Sequence, residues 1–280
     1  MRRVYLILVL LPFLFYSCEE MVTNVDVPQS EPHYVLHAYL SCEDSVVTVT
    51  AGKSKPVFGE QTTDTSWVAQ AHVYINDFEL TRVPNTYYQF SCPVNAFEVV
   101  AGETYTVALR IGSETVCSGK CTVPLSMNET LTFDGLDSVQ YDEYEGQAYY
   151  DYYALFSFVD PAGDENYYRI GAEMSYYDEF SGDTTVIQMY PSSENFLKDI
   201  LFDGEDYSGR LLINYFESIS SLVGLKLILY TTDNNYYYYH RAILSQSGDD
   251  PFSEPVTVPS NVDNGLGCVA AYRKFALKVF

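Results

Sequence analysis

The chain has 280 residues, of which 47% are hydrophobic and 19% charged. That is apolar enough for a packed core and too apolar for a disordered chain. Acidic residues outnumber basic ones 38 to 15, for a formal charge of −23. A surface of that sign repels phosphate backbones and argues against a nucleic-acid partner.

Arg2 and Arg3 open the chain, and an apolar run follows from Val4 to Tyr16. The run is too short to span a bilayer as a helix. A basic start before such a run reads as a lipoprotein signal peptide over residues 1–17. Ser17 directly before Cys18 is the small-residue–cysteine pattern of bacterial lipoprotein processing, although Phe15 replaces the usual Leu. We therefore expect lipidation at Cys18 and a membrane anchor made of acyl chains. Residues 18–31 carry Glu19, Glu20 and Pro28 without apolar periodicity and read as a tether.

Five further cysteines follow: Cys42, Cys92, Cys117, Cys121 and Cys268. An exported chain permits disulfides, and the spacing leaves the pairing open. Cys117 and Cys121 flank Ser-Gly-Lys and could sit on the two arms of a tight turn. No CxxC pair or His-rich tract supports zinc.

Strand-like segments begin with Tyr34–Leu40, then Val46–Ala51, His72–Asn76, Tyr87–Phe90, Tyr105–Ile111 and Thr115–Val123. They are short, rich in Val, Tyr and Thr, and bounded by turn residues, which predicts a β-sandwich. Gly102 and Tyr105 before an alternating strand resemble the tyrosine corner of immunoglobulin-like sandwiches. This first domain is expected over 32–124.

Residues 125–145 read as an acidic connection into a second domain, 125–280. Tyr150, Tyr152, Ala154, Phe156 and Phe158 then share one face at strand period. Asp160-Pro-Ala-Gly163 breaks the chain, and Asn166–Tyr176 is expected to return as its hairpin partner. Asp137–Glu145 and Asp160–Asn166 hold several carboxylates, but neither fits the twelve-residue calcium loop, so solvated turns are expected. Strands are also predicted at Thr184–Met189, Leu211–Phe216 and Leu222–Tyr230, with a short helix or turn within Ser192–Asp199. Thr232 or Asp233 can cap a helix with Tyr236, Tyr239, Ile243 and Ser247 on one face. Cys268–Phe280 is apolar and would close a sheet. The fold class expected is mainly β. An N-terminal immunoglobulin-like β-sandwich is followed by a second β-sheet domain with one or two short helices.

Asp250-Pro-Phe-Ser-Glu-Pro255 and Ser260-Asn-Val-Asp-Asn-Gly-Leu-Gly267 resemble the C-terminal signature of a lipoprotein family of Bacteroidetes-type bacteria, catalogued as domain of unknown function 4249. Thr122-Val-Pro124 and Leu201-Phe-Asp-Gly204 agree with it. The resemblance implies an outer-membrane lipoprotein, often encoded beside a TonB-dependent transporter. It implies no established activity and supplies no catalytic residues. The tail motif also reads structurally: its prolines and glycines fix a long turn, and Asn261 and Asn264 can bond that turn's backbone.

No HExxH, Gly-x-Ser-x-Gly or phosphate-loop motif is present. His33 and His37 lie on a strand-like segment, too far apart for one ion. No catalytic, cofactor-binding or metal-binding residue is assigned, and no cofactor is expected. The 27 tyrosines are the unusual number. Most fit a pleated sheet, but exposed aromatics also bind sugars or protein partners. Tyr149, Tyr153, Tyr237 and Tyr238 are the candidates for such a surface. The expected function is a non-enzymatic accessory or binding component at the outer membrane. It is lipid-anchored and faces the cell surface, with the periplasmic face as the other option, and its expected partner is a TonB-dependent barrel. The alternative is a stand-alone adhesin or glycan-binding module.

Overall fold

The computed structural model describes residues 31–55, 64–213, 221–246 and 256–280. Cys18 and residues 250–255 of the tail motif lie outside them. The described chain is mainly β. It opens with β1 (Tyr34–Leu40), β2 (Val46–Lys53), β3 (Ala71–Ile75), β4 (Phe78–Glu79) and β5 (Thr81–Arg82). Then come β6 (Gln89–Pro93), β7 (Thr104–Ile111) and β8 (Glu114–Thr122). Two long strands follow, β9 (Thr132–Tyr144) and β10 (Gln147–Val159). They lead to β11 (Tyr167–Tyr177), β12 (Thr184–Gln188), β13 (Phe196–Lys198) and β14 (Asp206–Leu212). The chain closes with β15 (Leu222–Thr232), helix α1 (Asn234–Ser245), β16 (Val262–Asp263) and β17 (Gly265–Lys278).

Among the described residues these strands form three sheets. The largest runs β12-β11-β15-β17-β1-β2-β6-β5, with β13 paired to β11. The others run β16-β8-β7-β3-β4 and β14-β10-β9. β17 joins the two halves of the large sheet. Its first half pairs in parallel with β1, from Tyr34↔Gly265 to Leu40↔Ala271. Its second half pairs antiparallel with β15, from Thr232↔Tyr272 to Lys226↔Lys278.

Alternation along β17 then sorts its side chains. Val269 and Ala271 enter a core shared with Leu36, Val49, Phe90, Val73 and Leu109, between the large sheet and the five-stranded one. Phe275 and Leu277 lie further along the same face. They pack on a second core that includes Phe156, Phe158, Met174 and Leu227, under the three-stranded sheet. Cys268 and Ala270 point the other way, into a cluster with Tyr236 and Tyr237 of α1.

The expected boundary after residue 124 falls between β8 and β9, yet the first core also takes Val262, Val269 and Ala271 from the tail. Segment 125–280 therefore contributes to both cores, because β17 fills the place beside β1.

Charged groups from the β1–β2 turn fasten β17 just past the end of β1. Glu43 accepts from the Arg273 guanidinium, and from the Lys274 backbone N–H at 3.2 Å. Asp44 accepts from Tyr272 Oη and Lys274 Nζ, both at 2.6 Å. Arg273 also donates to the Leu125 carbonyl, in the connection between the two sandwiches.

Tail glycines make the β1 pairing sterically feasible. A Cβ at Gly267 would lie 2.2 Å from the Leu36 carbonyl oxygen, and the residue has φ +123°. At Gly265 a Cβ would lie 2.8 Å from the Tyr34 carbonyl oxygen. Asn261 completes the lock. Its amide donates to the Lys120 and Val269 carbonyls, and its oxygen accepts from Val269 N–H at 2.9 Å. The tyrosine corner is also formed, with Tyr105 Oη accepting from Val100 N–H at 2.7 Å.

Several expectations are corrected. Residues 132–144 are a strand and not a carboxylate turn. β11 is not the hairpin partner of β10; it pairs with β15, β12 and β13, and the 160–166 segment crosses between sheets. Cys117 and Cys121 lie on the same strand, β8, both buried. Four residues of extended chain separate them by about 13 Å, beyond disulfide reach. All five described cysteines are free thiols.

Gly267→Ala places a methyl against the β1 backbone at a φ that L residues avoid. It is expected to lower unfolding stability by about 3 kcal/mol or more, read by urea denaturation. A change near zero would show that β17 can shift freely against β1.

Candidate functional site

Two elements, the β9–β10 hairpin and α1, carry the four candidate tyrosines. The hairpin's two-residue turn is Glu145-Gly146, with φ 51° and 80°. Positive φ at both positions defines the type I′ geometry that matches strand twist. β14 covers β10 only from Tyr153 to Val159. The hairpin continues past that cover as a two-stranded ribbon, about 20 Å long by strand rise.

Burial follows from this geometry. On one face of β10, Phe158, Phe156 and Ala154 are buried, Tyr152 is half-buried and Tyr150 is exposed. Core packing therefore stops part-way along the strand. Every residue from Leu136 to Tyr144 is exposed, so both faces of β9 are open there. β9 is also the outer strand of its sheet among the described residues, leaving one edge without a neighbouring strand. Tyr141 and Tyr144 are the most open ribbon aromatics, at 62% and 64%.

Tyr149 and Tyr153 are both half-buried. The Tyr149 and Tyr141 rings meet tilted at 6.3 Å, and Tyr153 lies under the Arg210 guanidinium at 4.4 Å. The two larger contributors, Tyr141 and Tyr144, escaped the sequence reading. Their signal was the run Val139-Gln-Tyr-Asp-Glu-Tyr144 before Glu-Gly, a strand leading into a tight turn.

The second element is α1. Asp233 is its N-cap, accepting from Tyr236 N–H at 2.8 Å and from Ala271 N–H of β17 at 3.1 Å. The expected Tyr236-Tyr239-Ile243 stripe is rotated, because Tyr237 rather than Tyr239 turns fully to the sheet. Tyr237 is only 2% exposed and meets the Tyr167 ring at 5.0 Å. It is therefore a packing residue and not a surface one. Tyr238 is exposed, and its hydroxyl accepts from Lys198 Nζ at 3.2 Å. Beside it, Asn234, Asn235, Tyr238, Tyr239 and Ser260 line part of a cleft of about 380 Å³.

Under α1 the groups are built for packing. His240 meets Tyr236 at 4.3 Å and Tyr39 at 4.9 Å with tilted rings, and lies parallel to Phe196 at 6.1 Å. Burial lowers its pKa to about 4, so the ring is neutral at pH 7. Burial pushes up the Cys268 thiol there and, in the first core, pushes Cys117 up to about 11 and Cys121 up as well. Thiols in that state are poor nucleophiles.

Asp160, Asp199 and Asp203 offer carboxylate oxygens within 4.8 Å of one another. Asp160 accepts from Tyr168 Oη and Gly204 N–H, Asp199 from Asn166 N–H, and Asp203 from Gly163 N–H. These bonds tie the 160–166 segment to the 199–204 turns. No helix among the described residues is long and apolar enough to cross a membrane.

Burial raises the Asp233 carboxyl from its ordinary 3.8 to about 7, against the pull of the Tyr236, Ala271 and Thr122 N–H groups. The folded chain thus keeps a proton that the unfolded chain releases above about 3.9. That stabilisation is full below the unfolded value and is lost as pH rises through about 7. Urea unfolding from pH 5 to 8 should show the native chain losing more stability than Asp233→Asn, which cannot ionise. Parallel curves would contradict a raised Asp233.

No curated protein matches the chain in sequence. The family model described as Domain of unknown function (DUF4249) matches residues 21–276, nearly the whole length. The chain belongs to that family.

Proposed function

We propose that the chain is a non-enzymatic binding component of the outer membrane, held by lipid at Cys18 and acting beside a TonB-dependent transporter. The observation that carries this reading is the β9–β10 ribbon. A two-stranded hairpin open on both faces gains little from its own fold. Its Tyr141 and Tyr144 stand in water, where aromatic side chains are most useful as contacts for another molecule. The signal-like residues 1–17 and the Ser17-Cys18 pair support the anchor, and the tail motif that resembles the lipoprotein family supports the transporter. Buried, protonated thiols and a neutral, packed His240 give no support to a reaction centre. The cleft beside Tyr238 is the one feature favouring a glycan-binding module instead.

The test is a mild-detergent pull-down of the tagged full-length chain from its native outer membrane, read by mass spectrometry. A stoichiometric TonB-dependent barrel is expected with the native chain, and Cys18→Ala should leave the membrane fraction. Recovery of the chain alone, under conditions that preserve a known barrel complex, would overturn the accessory reading.

A further inference from the structure

We propose that the ribbon and the neighbouring β11–β12 hairpin form one docking surface, and that it takes an arginine-rich face of a partner protein. The inference rests on the reading of this chain as a partner-binding component and adds the partner's chemistry.

The two hairpins leave the second sandwich at the same end. Ile213 N–H donates to the Tyr152 carbonyl at 2.9 Å, and the Ile213 carbonyl accepts from Tyr176 Oη at 3.2 Å. Tyr152 of β10 and Tyr176 of β11 are thus level across the core. β10 runs from its tip toward the core, and β11 runs away from the core. The Glu145-Gly146 tip and the 178–183 turn therefore project beyond the same level.

Both projections carry the same chemistry. The ribbon bears Asp137, Asp142, Glu143 and Glu145, and the second turn bears Asp178, Glu179 and Asp183, all exposed. No lysine or arginine occurs from Thr132 to Val159 or from Met174 to Tyr190. Among the described residues, none of these seven carboxylates is in an ion pair with this chain's own cations. Exposed aromatics alternate with them: Tyr141, Tyr144 and the fully exposed Phe180.

Carboxylates interleaved with aromatic faces suit a guanidinium, which pairs with the acid in its plane and stacks on the ring. The base of the ribbon already shows the stacking half, with Arg210 over Tyr153 at 4.4 Å. A second copy of this chain does not fit, because joining two such ends would set like charges against each other along an open strand edge. Lysine satisfies the charge but not the stacking, so arginine is preferred.

The probe is a fluorescein-labelled dodecapeptide of alternating Arg and Gly, with Lys-Gly and Glu-Gly peptides of the same length, titrated with the full chain in detergent. Three variants are compared with the native chain. They are Asp142→Asn/Glu143→Gln/Glu145→Gln, Tyr141→Ser/Tyr144→Ser, and the control Glu98→Gln/Glu103→Gln/Glu114→Gln on the first sandwich. All must show the native urea midpoint.

The expected result is binding of the Arg peptide that weakens with salt and exceeds the Lys peptide. The ribbon charge variant should weaken it about tenfold, with the control within about twofold. The tyrosine variant should erase the preference for Arg over Lys. Absence of Arg-peptide binding at low salt would overturn the proposal. Equal loss in the ribbon and control variants would also overturn it, since net charge alone would then explain the binding. A barrel that co-purifies while the Arg peptide fails to bind sinks this inference and leaves the accessory reading intact.

Discussion

One strand of 14 residues, β17, has to satisfy three packing surfaces. Its alternation gives one face to both sandwiches in succession and the other face to α1. Neither core is closed without it, since β17 is the neighbour of both β1 and β15. The glycines at 265 and 267, the Asn261 bridge and the Glu43–Asp44 clamp all serve that placement. Losing it would expose apolar surface on both cores, and burial of such surface is the main favourable term in folding. The polar contacts matter for register: a slip of one residue would send Val269, Ala271, Phe275 and Leu277 to the α1 face.

Such a body has consequences for its surface. The second core runs out of apolar partners near Tyr152, but β9 and β10 do not stop there. Their continuation is held mainly by the I′ turn and cross-strand pairs, which contribute a few tenths to about 1 kcal/mol each. An open ribbon with β-forming residues is an aggregation hazard. Its density of carboxylates is the counterweight, because it keeps identical edges apart. In the proposed docking the same carboxylates beside Tyr141 and Tyr144 would favour a cationic partner, so that solubility and the proposed recognition would draw on the same residues.

Legibility in the sequence tracked whether one face of an element is buried. β1 was readable residue for residue, because Leu36, Ala38 and Leu40 alternate against half-buried neighbours. The face of β10 with Phe156 and Phe158 was readable for the same reason. So was the helix cap, which falls on Asp233 of the two candidates Thr232 and Asp233. Asn261 and the tail glycines read as a self-contained turn, whereas Asn261 bridges Lys120 and Val269 and both glycines lie in β17 against the β1 backbone, contacts that no local window contains. β9 was missed because both faces of its outer half meet water, and alternation carries no signal there. The pairing of β11 was missed because Asp160-Pro-Ala-Gly163 looks like a hairpin turn whether the chain returns to the same sheet or crosses to another. Tyr237 was misplaced because the helix face is chosen by distant residues, with Tyr167 packing on its ring and Arg169 donating to Tyr236 Oη at 2.6 Å. The shared use of β17 is a non-local fact that no window of sequence contains.

The central claim is that a body built around β17 presents an acidic, aromatic ribbon to a partner. The most direct measurement is amide hydrogen exchange on the full-length chain, compared between its native outer membrane and detergent-purified isolation. The account predicts slow exchange of β17 and β1 in both states. It also predicts protection in the membrane confined to about residues 136–150 and 178–183. Equal exchange of those segments in both states, or protection centred on another face, would contradict it.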